Sequence, residues 1–484
     1  MRHRLFAATA TAVLAVSTVA APLAGAAVAE PDTSTTQQRD ILERIRAVPG
    51  VTSVTEKEAP AGYRYFVMTF RQPVDHKHPE RGSFDQRITL LHKDTARPMV
   101  MYTSGYGVST NPSRSEPTQI ADGNQLSMEY RFFEPSRPKN PDWDKQLTIW
   151  QAATDQHRII EAFSGVYDQR WITTGGSKGG MTATYHRRFY PDDVAGTVPY
   201  VAPNDVDDAE DSAYERKLST VGPAQCRRDI IAVQRRLLGS QRPWFLAKMK
   251  EADDREGNTY TIVGDREIAF EASVIDLYFG FYQYHPVSEC ADVPKAEATN
   301  EEVLDWVDEI GGLTSAADQG LEAYLPYYYQ SAYQMGGPPP YETPIADLLK
   351  HPGTNVSSTF LPENLRPRRF DHSAMKDIDR WVQKRSTRML FINGQNDPWS
   401  SEPFSCGDKK ADARDCARYT VPGGTHGSRI AQLPDAERAR ATALVLKFAG
   451  LGDADPAAQQ IERTGEPTDK GKMDVIRQEE VPLR

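Results

Sequence analysis

Apolar and polar residues alternate along this chain in two ways. Short runs rich in β-branched and aromatic residues predict strands, whereas segments with apolar residues every three or four positions predict helices. The predicted strands are 63–71, 84–92, 98–103, 126–132, 171–174, 194–201, 388–392 and 418–421. The predicted helices are 40–48, 147–163, 181–190 and 435–448. Strands that alternate with helices favour an α/β fold with a mostly parallel sheet and helices on both faces.

This alternation stops between about Asn204 and Arg385. Long polar helical patterns replace it, and aromatic residues and prolines are dense from Tyr324 to Tyr341. We therefore interpret 39–203 and 386–450 as the two parts of one α/β core. Residues 204–385 are then a mainly helical cap inserted between them. Residues 451–484 are polar and lack apolar periodicity, so we interpret them as a C-terminal extension.

The first 29 residues differ from the rest of the chain. A basic start, Arg2 to Arg4, precedes the apolar run Leu5 to Val28, which has no acidic residue and ends in small residues. This pattern predicts a secretory signal peptide over 1–29. Residues 30–38 are polar and are expected to be a loose N-terminal or pro-segment. We therefore expect a secreted, extracellular protein with no membrane attachment after signal cleavage.

The charge balance narrows the choice of partners. The chain has 57 lysines and arginines against 67 aspartates and glutamates, a formal charge of −10. Removal of 1–29 takes away two arginines and no acid, which leaves 55 basic against 67 acidic residues and a charge of −12. An acidic protein is a poor partner for nucleic acid or anionic membranes, so we expect neither.

Four cysteines are present, at Cys226, Cys290, Cys406 and Cys416. In an exported chain four cysteines are expected to form two disulfides, for which three pairings exist. Cys406 and Cys416 are close in sequence and are expected to close a short loop, which leaves Cys226 with Cys290. Their spacing is not that of a zinc site. We expect no metal and no cofactor.

The clearest chemical motif is Trp171-Ile-Thr-Thr-Gly-Gly-Ser-Lys-Gly-Gly180. A predicted strand runs into a serine with a glycine two residues away on each side, and a predicted helix follows. Such a serine can occupy the strained strand-to-helix turn called a nucleophile elbow, where larger neighbours would clash. We therefore predict that Ser177 is a nucleophile.

A serine nucleophile needs a base, and the base needs a carboxylate that orients it. In an α/β-hydrolase sheet these partners follow the serine in the order Asp, His, in loops at the carboxyl ends of later strands. Asp397 stands in the loop after the apolar strand 388–392, and His426 in the glycine-rich loop after 418–421. We predict that they complete a catalytic triad with Ser177.

The oxyanion of an acyl-transfer reaction needs two backbone N–H donors. The first is normally the amide after the nucleophile, here that of Lys178, and the second comes from the loop after an earlier strand. Ser104-Gly-Tyr-Gly107 follows the strand 98–103, so Tyr106 or Gly107 is the predicted second donor.

Several motifs resemble a known family. The residues Gly175-Gly-Ser-Lys-Gly-Gly180, Phe189-Tyr-Pro-Asp-Asp193 and Tyr200-Val-Ala-Pro203 resemble those of the secreted prolyl tri/tetrapeptidyl aminopeptidases of streptomycetes. Two others resemble the wider prolyl carboxypeptidase and dipeptidyl peptidase II group: Phe70-x-Gln72-x-Val74-Asp75-His76, and Glu129-Tyr-Arg131-Phe-Phe with Ser136-x-Pro138. Tyr130 departs from that group, which has a histidine there.

The resemblance covers essentially the whole mature chain. It implies an α/β-hydrolase serine exopeptidase that cuts after proline and releases tri- or tetrapeptides from substrates with a free amino terminus. It also implies that Ser177, Asp397 and His426 are the catalytic residues.

An aminopeptidase must bind a cationic amino terminus, so an acid is expected in its cleft. Glu129 is our candidate, with a salt bridge to Arg131 or another basic residue as the alternative. Proline at the cleaved position requires a flat apolar pocket, for which Tyr327, Tyr328 and Trp399 are candidates, although aromatic residues also form cores.

Two other functions fit the same motifs. A secreted esterase or acyltransferase would use the same triad, since its chemistry is also acyl transfer. A binding protein that has kept the hydrolase scaffold is a non-enzymatic alternative, because a fold does not fix a function.

Overall fold

The computed structural model describes residues 40–407 and 411–452. The predicted signal peptide, the segment 30–38 and residues 453–484 of the predicted extension lie outside the described residues.

Nine strands form one sheet in the described residues. They are β1 (Val51–Lys57), β2 (Arg64–Pro73), β3 (Ser83–His92), β4 (Met99–Thr103), β5 (Asn124–Met128), β6 (Trp171–Gly176), β7 (Gly196–Tyr200), β8 (Met389–Gly394) and β9 (Cys416–Val421). Their order is β1-β2-β3-β5-β4-β6-β7-β8-β9. The pairings among β1, β2, β3 and β5 are antiparallel, and the five pairings from β5 to β9 are parallel.

Thirteen α-helices accompany the sheet in the same described ranges. They are α1 (Ile41–Arg46), α2 (Glu116–Ala121), α3 (Trp143–Gln146), α4 (Ile149–Ser164), α5 (Lys178–Phe189), α6 (Ser212–Thr220), α7 (Ala224–Leu238), α8 (Arg242–Glu256), α9 (Arg266–Tyr284), α10 (Asn300–Ile310), α11 (Asp318–Gln330), α12 (Ala374–Arg385) and α13 (Asp435–Ala449).

The sheet has a hydrophobic core on each face. Alternate residues of β8 join different clusters: Met389 and Phe391 join the one that includes side chains of α4 and α5, and Leu390 and Ile392 join the one that includes α2 and α13. Both clusters are needed because a parallel strand is buried on both faces and exposes neither to water. The structure confirms the predicted α/β architecture with helices on both faces.

Seven helices, α6 to α12, lie in the chain between β7 and β8. Cys226 of α7 is joined to Cys290, and Cys406 to Cys416, which confirms both predicted disulfides. The hydrophobic cluster that contains α4 and α5 continues into α7, α9 and α11 without a break. The interpretation of 204–385 as a cap stays a prediction. The helices of the described residues are all too short or too polar to span a bilayer.

Two strand assignments need correction. The sequence pattern does not predict β1, because this edge strand is polar and largely exposed and its identity depends on pairing with β2. The strand predicted at 126–132 ends at Met128. Phe132 has a positive φ of 75°, and the apolar residues beyond Met128 are buried in a turn instead of a strand.

Candidate active site

Ser177 lies on a sharp turn between β6 and α5. Its backbone has φ 52° and ψ −127°, and its amide donates to the carbonyl of Tyr200 at 2.9 Å. The flanking glycines allow this turn. A Cβ at Gly175 would lie 2.5 Å from the carbonyl oxygen of Thr103, and one at Gly179 would overlap the same atom. These close approaches require glycine at both positions, and Ser177 stands at the carboxyl end of β6.

Asp397 and His426 lie together beyond the ends of β8 and β9. His426 Nδ1 is 3.0 Å from Asp397 Oδ1, and both side chains are fully buried. The remaining bonds to Asp397 come from its own loop, since the Trp399 amide donates to Oδ1 at 3.0 Å and the Ser400 hydroxyl to Oδ2 at 2.6 Å. The carboxylate is thereby fixed, and it can hold the imidazole with Nε2 directed away from it.

Two cavities adjoin the elbow. The elbow cavity is lined by Gly175, Gly176 and His426, together with Ser104, Tyr106 and Gly107. The nucleophile cavity is lined by Ser177, Lys178, Tyr106, Tyr327, Trp399 and Asp205, among others. The ring centroids of Trp399 and His426 are 6.5 Å apart. The structure thus brings the three predicted triad residues to one edge of the sheet.

The helical region between β7 and β8 also holds the histidine loop. The His426 amide donates to the carbonyl of Gln283 in α9 at 2.8 Å, and the Tyr284 ring packs edge-on against the imidazole at 6.2 Å between centroids. The position of His426 therefore depends on α9 as well as on β9.

The predicted oxyanion donors lie on both sides of the elbow. Lys178 is the first residue of α5. The N–H groups of the first helical turn have no acceptor within their helix, so the Lys178 amide can donate to a substrate oxygen. The Tyr106 amide donates to the Ser104 hydroxyl oxygen at 3.0 Å, and Gly107 lines the elbow cavity. To stabilise an oxyanion, the Tyr106 amide has to break its hydrogen bond to the Ser104 hydroxyl oxygen and donate to the substrate oxygen instead.

The side chain of Lys178 ties these two segments together. It is buried, its Nζ donates to the carbonyl of Gly105 at 2.7 Å, and it lies 3.2 Å above the ring centroid of Tyr130. Burial lowers the pKa of this lysine well below its usual value. The aromatic face partly replaces the water that the ammonium loses.

Glu129 is fully buried and its carboxylate is engaged within the protein. Oε2 accepts bonds from the Arg87 guanidinium and from the Val108 amide at 3.0 Å, and Oε1 accepts one from the Ser136 hydroxyl at 2.7 Å. Burial raises the pKa of Glu129, and the Arg87 charge acts against this rise. Glu129 forms a salt bridge with a basic residue, Arg87, and its role in binding a substrate amine stays a prediction.

The residues of the other two resembling motifs form a second buried network. Asp155 of α4 accepts from Arg131 Nε at 2.6 Å and Nη2 at 2.8 Å, and His76 Nε2 lies 2.7 Å from its Oδ1. This network joins the β2–β3 hairpin region to α4, which gives His76 a structural partner.

The three aromatic candidates have different positions. Tyr327 and Trp399 line the nucleophile cavity. Tyr328 is fully buried, with ring centroids 5.2 Å from Tyr327 and 5.0 Å from Phe360, and it packs behind the cavity lining.

Sequence reasoning did not single out four acids near Ser177. The charges of Asp208, Asp211 and Glu402 all raise the pKa of Asp205 after burial, and these four residues are here called the acidic cluster. Asp205 lines the nucleophile cavity and is 3% exposed. The available signal was the acidic run after β7, Asn204-Asp-Val-Asp-Asp-Ala-Glu-Asp211, although such runs are usually solvated.

A serine on a strand-to-helix elbow, with an Asp–His pair at the ends of two later parallel strands, defines an α/β-hydrolase. The chain belongs to the PS-10 peptidase S37 family, whose model matches residues 34–470. It is 52% identical over 444 residues to a prolyl tri/tetrapeptidyl aminopeptidase of Streptomyces mobaraensis, which covers 92% of each chain. The protein is therefore a serine peptidase.

Similarity to solved structures is lower. A proline iminopeptidase of Mycobacterium smegmatis has 13% identity and a TM-score of 0.38, over 82% of this chain and 99% of that one. A carboxyl esterase of Tuber melanosporum has 10% identity and a TM-score of 0.33, over 81% and 88%. The fold assignment depends on the sheet and elbow of this chain.

Proposed function

We propose that this chain is a secreted serine exopeptidase that releases proline-ended tri- or tetrapeptides from substrates with a free amino terminus. The observation that carries the mechanism is the buried His426–Asp397 pair, 3.0 Å apart, beside the elbow that presents Ser177. The substrate class is supported by 52% identity over 92% of the chain to an aminopeptidase of that specificity.

In the proposed reaction Ser177 Oγ attacks the carbonyl carbon of the proline residue, and the bond to the following nitrogen breaks. His426 accepts the hydroxyl proton at Nε2 and later returns it to the leaving amine, while Asp397 holds Nδ1. The negative oxygen accepts bonds from the Lys178 amide and from that of Tyr106 or Gly107. Water then attacks the acyl-enzyme by the same route, with His426 as the base.

The nucleophile cavity suits a proline side chain. Tyr106, Tyr327 and Trp399 line it with flat aromatic surfaces, and Met181 and Met335 add apolar contacts. A pyrrolidine ring loses little freedom on binding and gains from contact with aromatic faces. We include 204–385 in the proposal as a cap, because α11 contributes Tyr327 to this lining.

Hydrolysis of chromogenic peptides tests the proposal. Wild type should cleave Ala-Ala-Pro-p-nitroanilide with a free amine much faster than its Ala-Ala-Ala or amino-acetylated counterparts. Ser177→Ala should lose this activity by at least about 10⁴-fold while its circular dichroism is unchanged. Labelling by a sulfonyl fluoride, located by mass spectrometry, should fall on the peptide that contains Ser177.

Two outcomes would contradict the proposal. Full activity in Ser177→Ala would remove the serine from its role. An enzyme that hydrolyses p-nitrophenyl acetate readily but none of the peptides would favour the esterase alternative. Secretion has its own test, because the chain expressed with residues 1–29 should appear in the medium with a new amino terminus near residue 30.

A further inference from the structure

The carboxylate of Asp205 is buried beside the candidate nucleophile. Asp205 is 3% exposed and lines the nucleophile cavity with Ser177 and Lys178. Neither of its oxygens has a hydrogen-bond partner among the described residues. A buried polar group normally finds such a partner, and a buried carboxylate that lacks one is costly in the ligand-free protein. A cationic ligand with N–H donors would satisfy it.

The surroundings of Asp205 add negative charge. Burial, followed by the charges of Asp211, Asp208 and Glu402, raises the pKa of Asp205 to about 8, and the Gly337 amide acts in the opposite direction. That amide itself donates to Asp208 Oδ1 at 3.2 Å. The site therefore favours any ligand that brings a positive charge.

The cations of the protein near this group act on acids other than Asp205. Lys376 is 2.9 Å from Asp207, the neighbouring acid on the solvent side. Burial raises the pKa values of Asp208 and Glu402, and the charges of His372 and Arg216 act against these rises. No lysine, arginine or histidine in the described residues forms an ion pair with Asp205. A positive charge in direct contact with Asp205 would therefore come from a ligand.

We propose that the acidic cluster binds the protonated amino terminus of the peptide substrate, with Asp205 in direct contact with the ammonium. This rests on the exopeptidase function proposed above and names the residues that would recognise the free amine. Asp205 and Ser177 line the same cavity, so a short peptide whose carbonyl carbon is at Ser177 can place its amine at the carboxylate.

The geometry favours an ammonium over a metal ion. In the described parts of the chain no group of three or more histidine, cysteine, aspartate or glutamate side chains is close enough to hold a metal. The acidic cluster therefore surrounds Asp205 with negative charge but does not place enough carboxylates together to coordinate a metal ion. An ammonium needs only two or three acceptor oxygens, and it can meet them with its own N–H groups.

Backbone features hold Asp205 in this position. A bridge between Pro203 and Pro403 brings the loop after β7 against the segment that carries Glu402. Gly336, with a φ of 74°, passes so close to Asp205 that a Cβ there would overlap Oδ2. A glycine is needed at this point for both its φ and its lack of a side chain.

The cluster extends beyond the nucleophile cavity. Asp208 and Asp211 line an adjoining cavity that shares Tyr327, Gly337 and Trp399 with it. A longer peptide can therefore place its ammonium against these outer acids while its carbonyl stays at Ser177. One cluster can in this way accept amino termini at two distances from the cleaved bond.

The test compares Asp205→Asn with Asp207→Asn, a control in the same loop whose acid pairs with Lys376 outside the cluster. Each variant is assayed with free and acetylated Ala-Ala-Pro-p-nitroanilide and with p-nitrophenyl acetate. For Asp205→Asn we expect kcat/KM on the free-amine peptide to fall about 100-fold, mainly through KM, because a buried ionic contact is lost. Turnover of the acetylated peptide and of the ester should stay within about threefold of wild type, as should all activities of Asp207→Asn.

The possible results separate the two proposals. If wild type prefers the free amine and Asp205→Asn keeps that preference in full, the assignment to Asp205 is overturned and the exopeptidase function stands. Equal losses on all three substrates would also overturn it, since Asp205 would then support the fold or the chemistry. If wild type itself does not distinguish free from acetylated peptide, the proposed function fails, and this inference fails with it.

Discussion

Replacing Asp205 by asparagine should stabilise the ligand-free protein at neutral and alkaline pH. Burial and the neighbouring acids raise the pKa of Asp205 from 3.8 to about 8 in the folded state. Between these two values the folded protein binds a proton that the unfolded chain releases. The stability of wild type therefore falls as the pH rises from about 4 to 8, and asparagine, which does not titrate, avoids this loss.

The size of the effect follows from the same pKa values. Each pKa unit corresponds to about 1.4 kcal/mol, so a rise of about four units costs on the order of 6 kcal/mol above pH 8 and about 4 kcal/mol at pH 7. These are upper bounds, because local relaxation and water entry reduce the cost of burying a charge. A gain of at least about 2 kcal/mol in the free energy of unfolding at pH 8 is the expected result for Asp205→Asn.

Urea unfolding at pH 4.5, 6, 7 and 8.5, with both disulfides intact and no substrate, measures this gain. The urea midpoints of wild type and Asp205→Asn should be close at pH 4.5 and separate progressively toward pH 8.5. Asp207→Asn should show no such gain, since Lys376 lowers the pKa of the half-buried Asp207. Midpoints that differ by the same amount at every pH would refute the reasoning, because no raised pKa would then be present.

Three further substitutions test other parts of the site. Gly179→Ala should destabilise the protein by at least about 3 kcal/mol in a thermal melt, because the new Cβ overlaps the backbone carbonyl of Thr103; an unchanged melting temperature would contradict the elbow geometry. Glu129→Gln should cost about 3 kcal/mol in urea unfolding, because the Arg87 guanidinium loses its carboxylate; a loss of amine preference without loss of stability would instead return Glu129 to substrate binding. Lys178→Met should lower kcat on the order of 10²-fold with little change in melting temperature, since its ammonium positions the loop of the second oxyanion donor; unchanged kcat would make that contact dispensable.

Much of the fold was predictable because the information is local. The strand 171–174, the glycines around Ser177 and the helix that follows are adjacent in sequence, and together they determine the elbow. The pairing of Cys406 with Cys416 follows from their closeness along the chain, and it leaves one partner for Cys226.

The features that escaped prediction depend on contacts between distant segments. β1 is a strand because it pairs with β2, and its own residues are polar and exposed. Burial of Asp205 depends on Pro403 and Gly336, which lie more than a hundred residues away in sequence. The local sequence around Asp205 contains only an acidic run, which has the same composition as a solvated loop.

Glu129 illustrates the same limit on sequence reasoning. Its position after a strand near the nucleophile predicts a cleft acid, and its role in binding the substrate amine stays a prediction. Its actual partners are set by the pairing of β3 with β5, which places Arg87 beside it. The roles of Ser177, Asp397 and His426 stay predictions, and Ser177→Ala tests the first of them.

The bond from the His426 amide to the Gln283 carbonyl has a consequence for redesign of this enzyme. A movement of α9 away from the sheet would break this bond or carry the histidine loop with it. A chimera that exchanges the whole segment between β7 and β8 for that of a relative would therefore risk catalytic competence along with specificity. Variation of single side chains that line the nucleophile cavity, with α9 retained, is the safer route to a peptidase with altered preference.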